Sequence, residues 1–224
     1  MTNTAGISKI EREPLHDKVY GELKQALMEA RFEPGSQLSL RELAAMFGVS
    51  VAPVRAALLR LLAEKAVVQS SATNSNFYVP ELAQDDFEEI IQLRSLLEGM
   101  AAERAAASIT QAELKCLEKL AVQLDRAAEA GKAKEYLRAN RDFKFLVLEA
   151  SRSPVLYDLV ESLWMRVGPL MHLYARNMSF HREVDHYSDV VAALSAGDAE
   201  AARQHLASDV LEGGAFLRQQ AYGD

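Results

Sequence analysis

The chain has a single cysteine, no long apolar run and none of the short motifs that announce catalysis. Cys116 stands alone among 224 residues, which excludes an internal disulfide and the disulfide-framework class. No stretch approaches the roughly 18 uninterrupted apolar residues that a membrane span requires. The polar start MTNTAGISKIEREP has no apolar segment for a secretory signal. A cytoplasmic protein with no membrane partner is expected. There is no Gly-rich phosphate loop, no nucleophile elbow, no HExxH zinc helix and no paired Glu-x-x-His set, so an enzyme is not expected, although helical bundles can house one. Internal repeats and low-complexity tracts are absent too. What is present is ordinary for a globular chain, 49% hydrophobic and 25% charged residues, which sets aside disorder and collagen. The length suggests two modest domains.

Charge divides the chain. The formal net charge is −7, but residues 1–80 carry 9 Lys+Arg against 8 Asp+Glu, whereas residues 81–224 carry 16 against 24. The acidity therefore does not exclude nucleic acid as a partner of the first segment. The polar, turn-rich run SSATNSNFYVP, residues 70–80, marks the seam. It places the domain boundary between residues 1–80 and 81–224.

In the first segment, apolar residues recur at helical spacing from Asp17 to Ala30 and stop at Pro34-Gly35. Ser39 caps a second helix carrying Leu40, Leu43, Ala44 and Phe47, and Gly48 ends it. Ser50 then caps a third helix that tolerates Pro53 in its first turn and buries Val54, Leu58, Leu61 and Leu62. Two short helices joined by a tight glycine turn read as a helix-turn-helix, with a two-stranded wing from Val67 to Val79. The same pattern also occurs in proteins that never meet DNA.

The run VYGELKQALMEARFEPGSQLSLRELAAMFGVSVAPVRAALLRLLAEKAVV resembles the GntR family of bacterial transcription regulators, in its PG turn, RELA helix, GVS turn and PVR helix start. The resemblance implies that Arg41 and Arg55 contact operator DNA, with Arg60 a weaker candidate, and that Ser39 and Ser50 meet phosphates at helix starts. A solvated helix arginine is the plain alternative for Arg55. Val51 and Ala52 stand where an arginine and a threonine are usual. They can touch a thymine methyl but cannot clamp a guanine, so an altered operator is expected. At the wing tip, Asn74 and Asn76 replace the usual glycines and basic residues, which makes minor-groove contact less secure.

The remaining residues read as a six-helix antiparallel bundle. Asp85 or Asp86 opens the first helix, which runs to about Ser108. Thr110 with Glu113 forms a capping box for the second, which Gly131 ends, and the third runs from about Lys134 to Ala150. Ser153-Pro154 starts a long fourth helix kinked at Gly168-Pro169. The fifth covers Arg182 to Ser195, and the sixth carries Ala202, Leu206, Val210, Leu211 and Phe216. The fold class is thus mainly α, a winged helix-turn-helix followed by an all-α bundle.

The runs EEIIQLRSLLEGMAAERAA, NRDFKFLVLEASRSPVL and HYSDVVAALSAGDAEAARQHL resemble the FadR subfamily, whose bundle is the effector-binding, dimerising FCD domain. Many members hold a divalent metal there. The resemblance maps the metal positions onto Asn140, Lys144, His186 and Asp209, and an ammonium at Lys144 repels a cation, so no divalent metal and no other cofactor is expected. His205 reads as solvated rather than as a replacement ligand. Lys144 either pairs with Asp209 and binds nothing, or anchors a small organic acid with help from Asn140 and His186. Arg94 faces the pocket by resemblance, or else pairs with Glu98 at i+4. His172, Tyr174 and Arg176, beyond the kink, are further lining candidates. Trp164 reads as core and Cys116 as a partly buried thiol.

The expected molecule is a homodimeric, effector-responsive regulator of double-stranded operator DNA, of repressor type. The alternatives are an interaction protein with a decayed DNA-reading surface and a small-molecule enzyme.

Overall fold

The computed structural model describes residues 14–70, 76–176 and 186–223. Helix α1 (Leu15–Met28) buries Val19, Tyr20, Leu23 and Leu27 on one stripe. It packs against α3 (Val51–Ala63), which buries Val54, Ala57, Leu58 and Leu61. Between them α2 (Leu40–Phe47) is capped by Ser39, whose side chain accepts from the Glu42 N–H, and ends at Gly48 with φ 65°. That left-handed conformation favours glycine and closes the turn into α3. The axes of α2 and α3 bend by 116°, within the range of a helix-turn-helix.

The sheet has one strand more than expected. Strands β1 (Gln37–Leu38), β2 (Val68–Gln69) and β3 (Phe77–Tyr78) pair antiparallel in the order β1-β3-β2, with Leu38 opposite Phe77. The third strand arises because the Pro34-Gly35 turn returns the chain to the wing: Gly35 N–H donates to the Val79 carbonyl and Val79 N–H to the Ser36 carbonyl, each at 2.9 Å. Gln37–Leu38 is too short to show a period in the sequence.

Six α-helices follow among the described residues: α4 (Gln84–Ala106), α5 (Gln111–Glu129), α6 (Ala133–Ala150), α7 (Pro154–Val167), α8 (Tyr187–Ala196) and α9 (Ala199–Tyr222). The capping box at Thr110 and the Ser153-Pro154 start form as the sequence predicts. Helix α4 begins at Gln84, without a side-chain cap, so Asp85 and Asp86 lie in its first turn, where the helix dipole favours anions. The expected kinked fourth helix is instead α7 followed by a 3-10 helix, Gly168–Arg176. Pro169 lacks the N–H that would continue the α ladder. The fifth bundle helix is described from Tyr187; residues 182–185 of its expected span lie outside the described residues.

Close approach between α4 and α9 depends on missing side chains. A Cβ at Gly99 would stand 3.2 Å from the Arg203 carbonyl oxygen, and one at Gly214 2.4 Å from a methyl of Ile91. The first segment is also tied to the bundle. Lys24 on α1 pairs with Glu161 on α7 at 2.8 Å, and Arg141 on α6 pairs with Glu29 at 2.8 Å. Gly168 rests on the backbone of Leu27 and Met28.

Candidate functional site

Two surfaces carry the residues singled out by sequence. The first is the outer face of the helix-turn-helix. Arg41 and Arg55 are exposed, and neither has a charged or hydrogen-bonding partner among the described residues. The Ser50 hydroxyl makes no capping hydrogen bond, so it remains available at the N-terminus of α3, whereas Ser39 Oγ is engaged with Glu42. Val51 and Ala52 are exposed beside Arg55, as are Ala56 and Leu59, leaving a largely apolar reading face.

Arg60 is placed differently. Its guanidinium stacks 3.7 Å from the Tyr20 ring centroid and reaches Asp17 at 3.5 Å and Glu64 at 3.3 Å. It braces α3 against α1 instead of presenting a free charge. At the wing, Asn76 accepts the Ser70 N–H through its carbonyl at 3.0 Å and so closes the hairpin. Asn74 lies outside the described residues.

The second surface is a buried cluster among α4, α6, α7, α8 and α9. Arg94, Glu98, Asn140 and Lys144 are 4%, 0%, 6% and 2% exposed. Helix spacing creates the cluster: Arg94 and Glu98 share a face of α4 at i,i+4, and Asn140 and Lys144 do the same on α6. Arg94 Nε donates to Glu98 Oε1 at 2.7 Å, and Trp164 Nε1 donates to the same oxygen at 3.0 Å. The Arg94 guanidinium also lies 4.3 Å from the Trp164 ring centroid. Burial alone raises the Glu98 pKa, but the Arg94 and Lys144 charges and these hydrogen bonds outweigh it and hold the carboxyl below its usual range.

Lys144 Nζ contacts Asp209 Oδ2 and lies 3.4 Å from Glu98 Oε2. Both contacts are within ion-pair range but lack hydrogen-bond geometry, so Nζ and Glu98 Oε2 are buried without a hydrogen bond. Two cations and two carboxylates bring the cluster to formal neutrality. Beside them is a cavity of about 30 Å³, lined by Arg94, Asn140, Lys144, Tyr174, Tyr187 and Asp209 among others, room for about one water. Tyr187 donates to Asn140 Oδ1 at 3.0 Å. Burial first, then Asp209, pushes the Tyr174 and Tyr187 hydroxyls above the ordinary tyrosine range, so both remain neutral donors at neutral pH.

Arg94, Asn140, Lys144 and Asp209 are therefore brought together, and His186 is not among the residues lining the cavity. His186 stands at the N-cap position of α8 without a side-chain cap, and its successor Tyr187 takes the inward place. A divalent metal does not fit the four positions. An ammonium sits against Asp209, where a ligand lone pair is needed, and the histidine lies outside.

Glu98, Tyr136 and Tyr187 are the lining or buried partners that sequence reasoning missed. Glu98 was visible only as an i+4 partner for Arg94, and Tyr187 only as the neighbour of a histidine. Tyr174 lines the cavity as expected; His172 does not, its Nδ1 lying 2.7 Å from the Pro169 carbonyl oxygen, and the side chain of Arg176 lies outside the described ones. Trp164 is core. Cys116 is exposed, because Leu114 and Leu117 take the buried stripe of α5.

Residues 15–73 match the family described as bacterial regulatory proteins, gntR family, and residues 89–211 match the FCD domain. The chain belongs to the GntR family, in its FCD-containing branch. It is 36% identical over 218 residues to the HTH-type transcriptional regulator McbR of Escherichia coli K12, covering 96% of this chain and 98% of that protein. It is 25% identical over 217 residues to the transcriptional repressor RspR of the same organism, covering 92% and 90%. The solved structure of E. coli McbR/YncC superposes with a TM-score of 0.87 at 33% identity, over 93% of this chain and 99% of that one. A GntR regulator from Rhodococcus sp. RHA1 shares the fold, with a TM-score of 0.72 at 21% identity over 90% and 96%. The chain is thus a transcription regulator with an N-terminal helix-turn-helix and a C-terminal helical domain, not an enzyme. No single helix among the described residues is long and apolar enough to cross a membrane.

Proposed function

We propose that this regulator is a cytoplasmic homodimeric repressor, released from its operator by a small organic acid bound at Lys144. The observation that carries the effector reading is the Lys144 ammonium, 2% exposed and without a hydrogen bond beside a cavity. Its contacts with Asp209 and Glu98 are ion pairs without hydrogen-bond geometry, and an entering carboxylate that takes the place of Asp209 can supply the hydrogen bond they lack. Because the cluster is neutral, that carboxylate must displace Asp209 from Nζ, and the cavity must widen as it does so. The Asn140 amide and the Tyr174 and Tyr187 hydroxyls supply directional contacts. No metal takes part at this interior position.

Dimerisation is supported by the outer face of α4. Leu93, Leu96 and Met100, at i, i+3 and i+7, are 40%, 63% and 46% exposed, an apolar stripe turned away from the core. A two-fold pair of helix-turn-helix units reads a palindromic site, with the start of α3 in the major groove.

The test begins with duplexes selected from a random pool, followed by anisotropy on the winner at several salt concentrations. A palindromic winner is expected. Small carboxylates are then screened for release of wild type, Lys144→Met and Asp209→Asn. The acid that releases wild type is expected to fail on Lys144→Met and to act at lower concentration on Asp209→Asn, whose cluster carries a surplus positive charge. Equal release of wild type and Lys144→Met overturns the reading. Failure to enrich any sequence favours the decayed reader that the apolar outer face of α3 suggests.

A further inference from the structure

Outside the interior cluster, α8 and α9 bring a second set of chemistry-bearing side chains together. His186 stands at the N-cap position of α8, Asp189 follows it at i+3, and His205 stands opposite on α9. One ligand atom from each lies within 4.8 Å of the other two. Asp189 Oδ2 is 3.8 Å from His205 Nδ1, and the two imidazole centroids are 6.2 Å apart.

A second observation concerns His186 alone. Its Nε2 is buried without a hydrogen bond, although Glu212 Oε1 approaches to 3.2 Å. That distance suits an ion pair, but the geometry is not that of a hydrogen bond. Buried ring nitrogens are normally satisfied, and a carboxylate held against an imidazole is the arrangement that orients histidines toward metals.

We propose that His186, Asp189 and His205 form a divalent transition-metal site on the half-exposed side of the α8–α9 pair, separate from the interior cluster. Two imidazoles and a carboxylate suit zinc, nickel or cobalt, whereas calcium and magnesium require mostly oxygen donors. The partial exposure of all three residues leaves the remaining coordination position to water. Modest side-chain rotation closes the ligand atoms to bonding distance, since none of the three is locked in the core.

The location gives the site a consequence. Tyr187, next to His186, donates to Asn140, and Asp209, one turn beyond His205, contacts Lys144. An ion joining His186 to His205 therefore fixes the two segments that close the interior cavity.

The test uses cobalt(II) alone, titrated into the full-length protein while the visible d–d absorption is followed, with zinc as competitor. A band saturating at one equivalent per chain and removed by zinc is expected. It should vanish in both His205→Ala and Asp189→Ala, two half-exposed or exposed positions whose variants retain the wild-type circular dichroism spectrum. Absence of a band in wild type, or its survival in either variant, overturns the proposal.

Discussion

Arg55 and Arg60 lie five residues apart on α3 and have opposite fates. Arg60 is held by Tyr20, Asp17 and Glu64, whereas Arg55 is exposed with no partner among the described residues. Arg55→Ala should cost about 1–3 kcal/mol in operator binding and relax sequence preference at the base pair it reads. Arg60→Ala should instead lower the melting temperature, through lost stacking and packing, with little change in preference. Anisotropy against matched and mismatched duplexes separates the two. The sequence marked both residues by their positions in a motif; Glu64 at i+4 and, about 40 residues earlier, Tyr20 and Asp17 on α1 distinguish them. Lys144 shows the same boundary. Its charge at a metal-ligand position was legible, as was its pairing with Asp209, but Glu98 as a second counter-ion depended on how α4 crosses α6.

At the scale of elements, most local signals are legible, the Ser50 and Asp85/Asp86 caps being exceptions, and tertiary ones are not. Caps at Ser39, Thr110 and Ser153 form because a side-chain oxygen and the N–H it accepts lie within one turn. Strand β1 and the 3-10 helix were missed because each depends on a distant partner or on a proline's effect within the packed bundle. The Thr110 box offers a pH test. Hydrogen bonds from Arg152 and then the Thr110 backbone lower the Glu113 pKa from 4.5 to about 2. A depressed carboxylate contributes stability above its unfolded value and loses it as pH falls through the folded one. The stability advantage of wild type over Glu113→Gln should therefore be full above pH 4.5 and vanish near pH 2, as read by thermal melts across that interval. Glu113 and its partner Arg152 lie at the surface, partly open to solvent, so the advantage will be small and weakened by salt.

The whole molecule is joined where α1 meets α7 and the 3-10 helix. A Cβ at Gly168 would stand 2.6 Å from the Leu27 carbonyl oxygen and 2.8 Å from the Met28 Cα, backbone atoms that cannot swing aside. Gly168→Ala should thus destabilise the protein by about 1–3 kcal/mol through overpacking and accelerate hydrogen exchange at the end of α1. Gly21→Ala is the control, because its Cβ meets nothing within 4 Å; it should be stabilising by up to about 1 kcal/mol from helix propensity. Unchanged exchange in Gly168→Ala would show that α1 is not held by this contact. Burial works against ionisation of Glu29 at the same junction, but hydrogen bonds from Gln25 and Arg31 and the Arg141 charge keep its carboxyl below the usual range, so the Arg141–Glu29 pair persists at neutral pH.

Arg141 lies on α6 between Asn140 and Lys144. The two flanking residues line the cavity, while Arg141 reaches out to Glu29 of the DNA-binding segment. Under the proposed function, ligand choice and strength of response therefore sit in one turn of one helix. On that reading, a substitution at 140 or 144 that tilts this turn to fit a new compound shifts the Arg141–Glu29 pair with it, and a change of specificity brings a change of sensitivity.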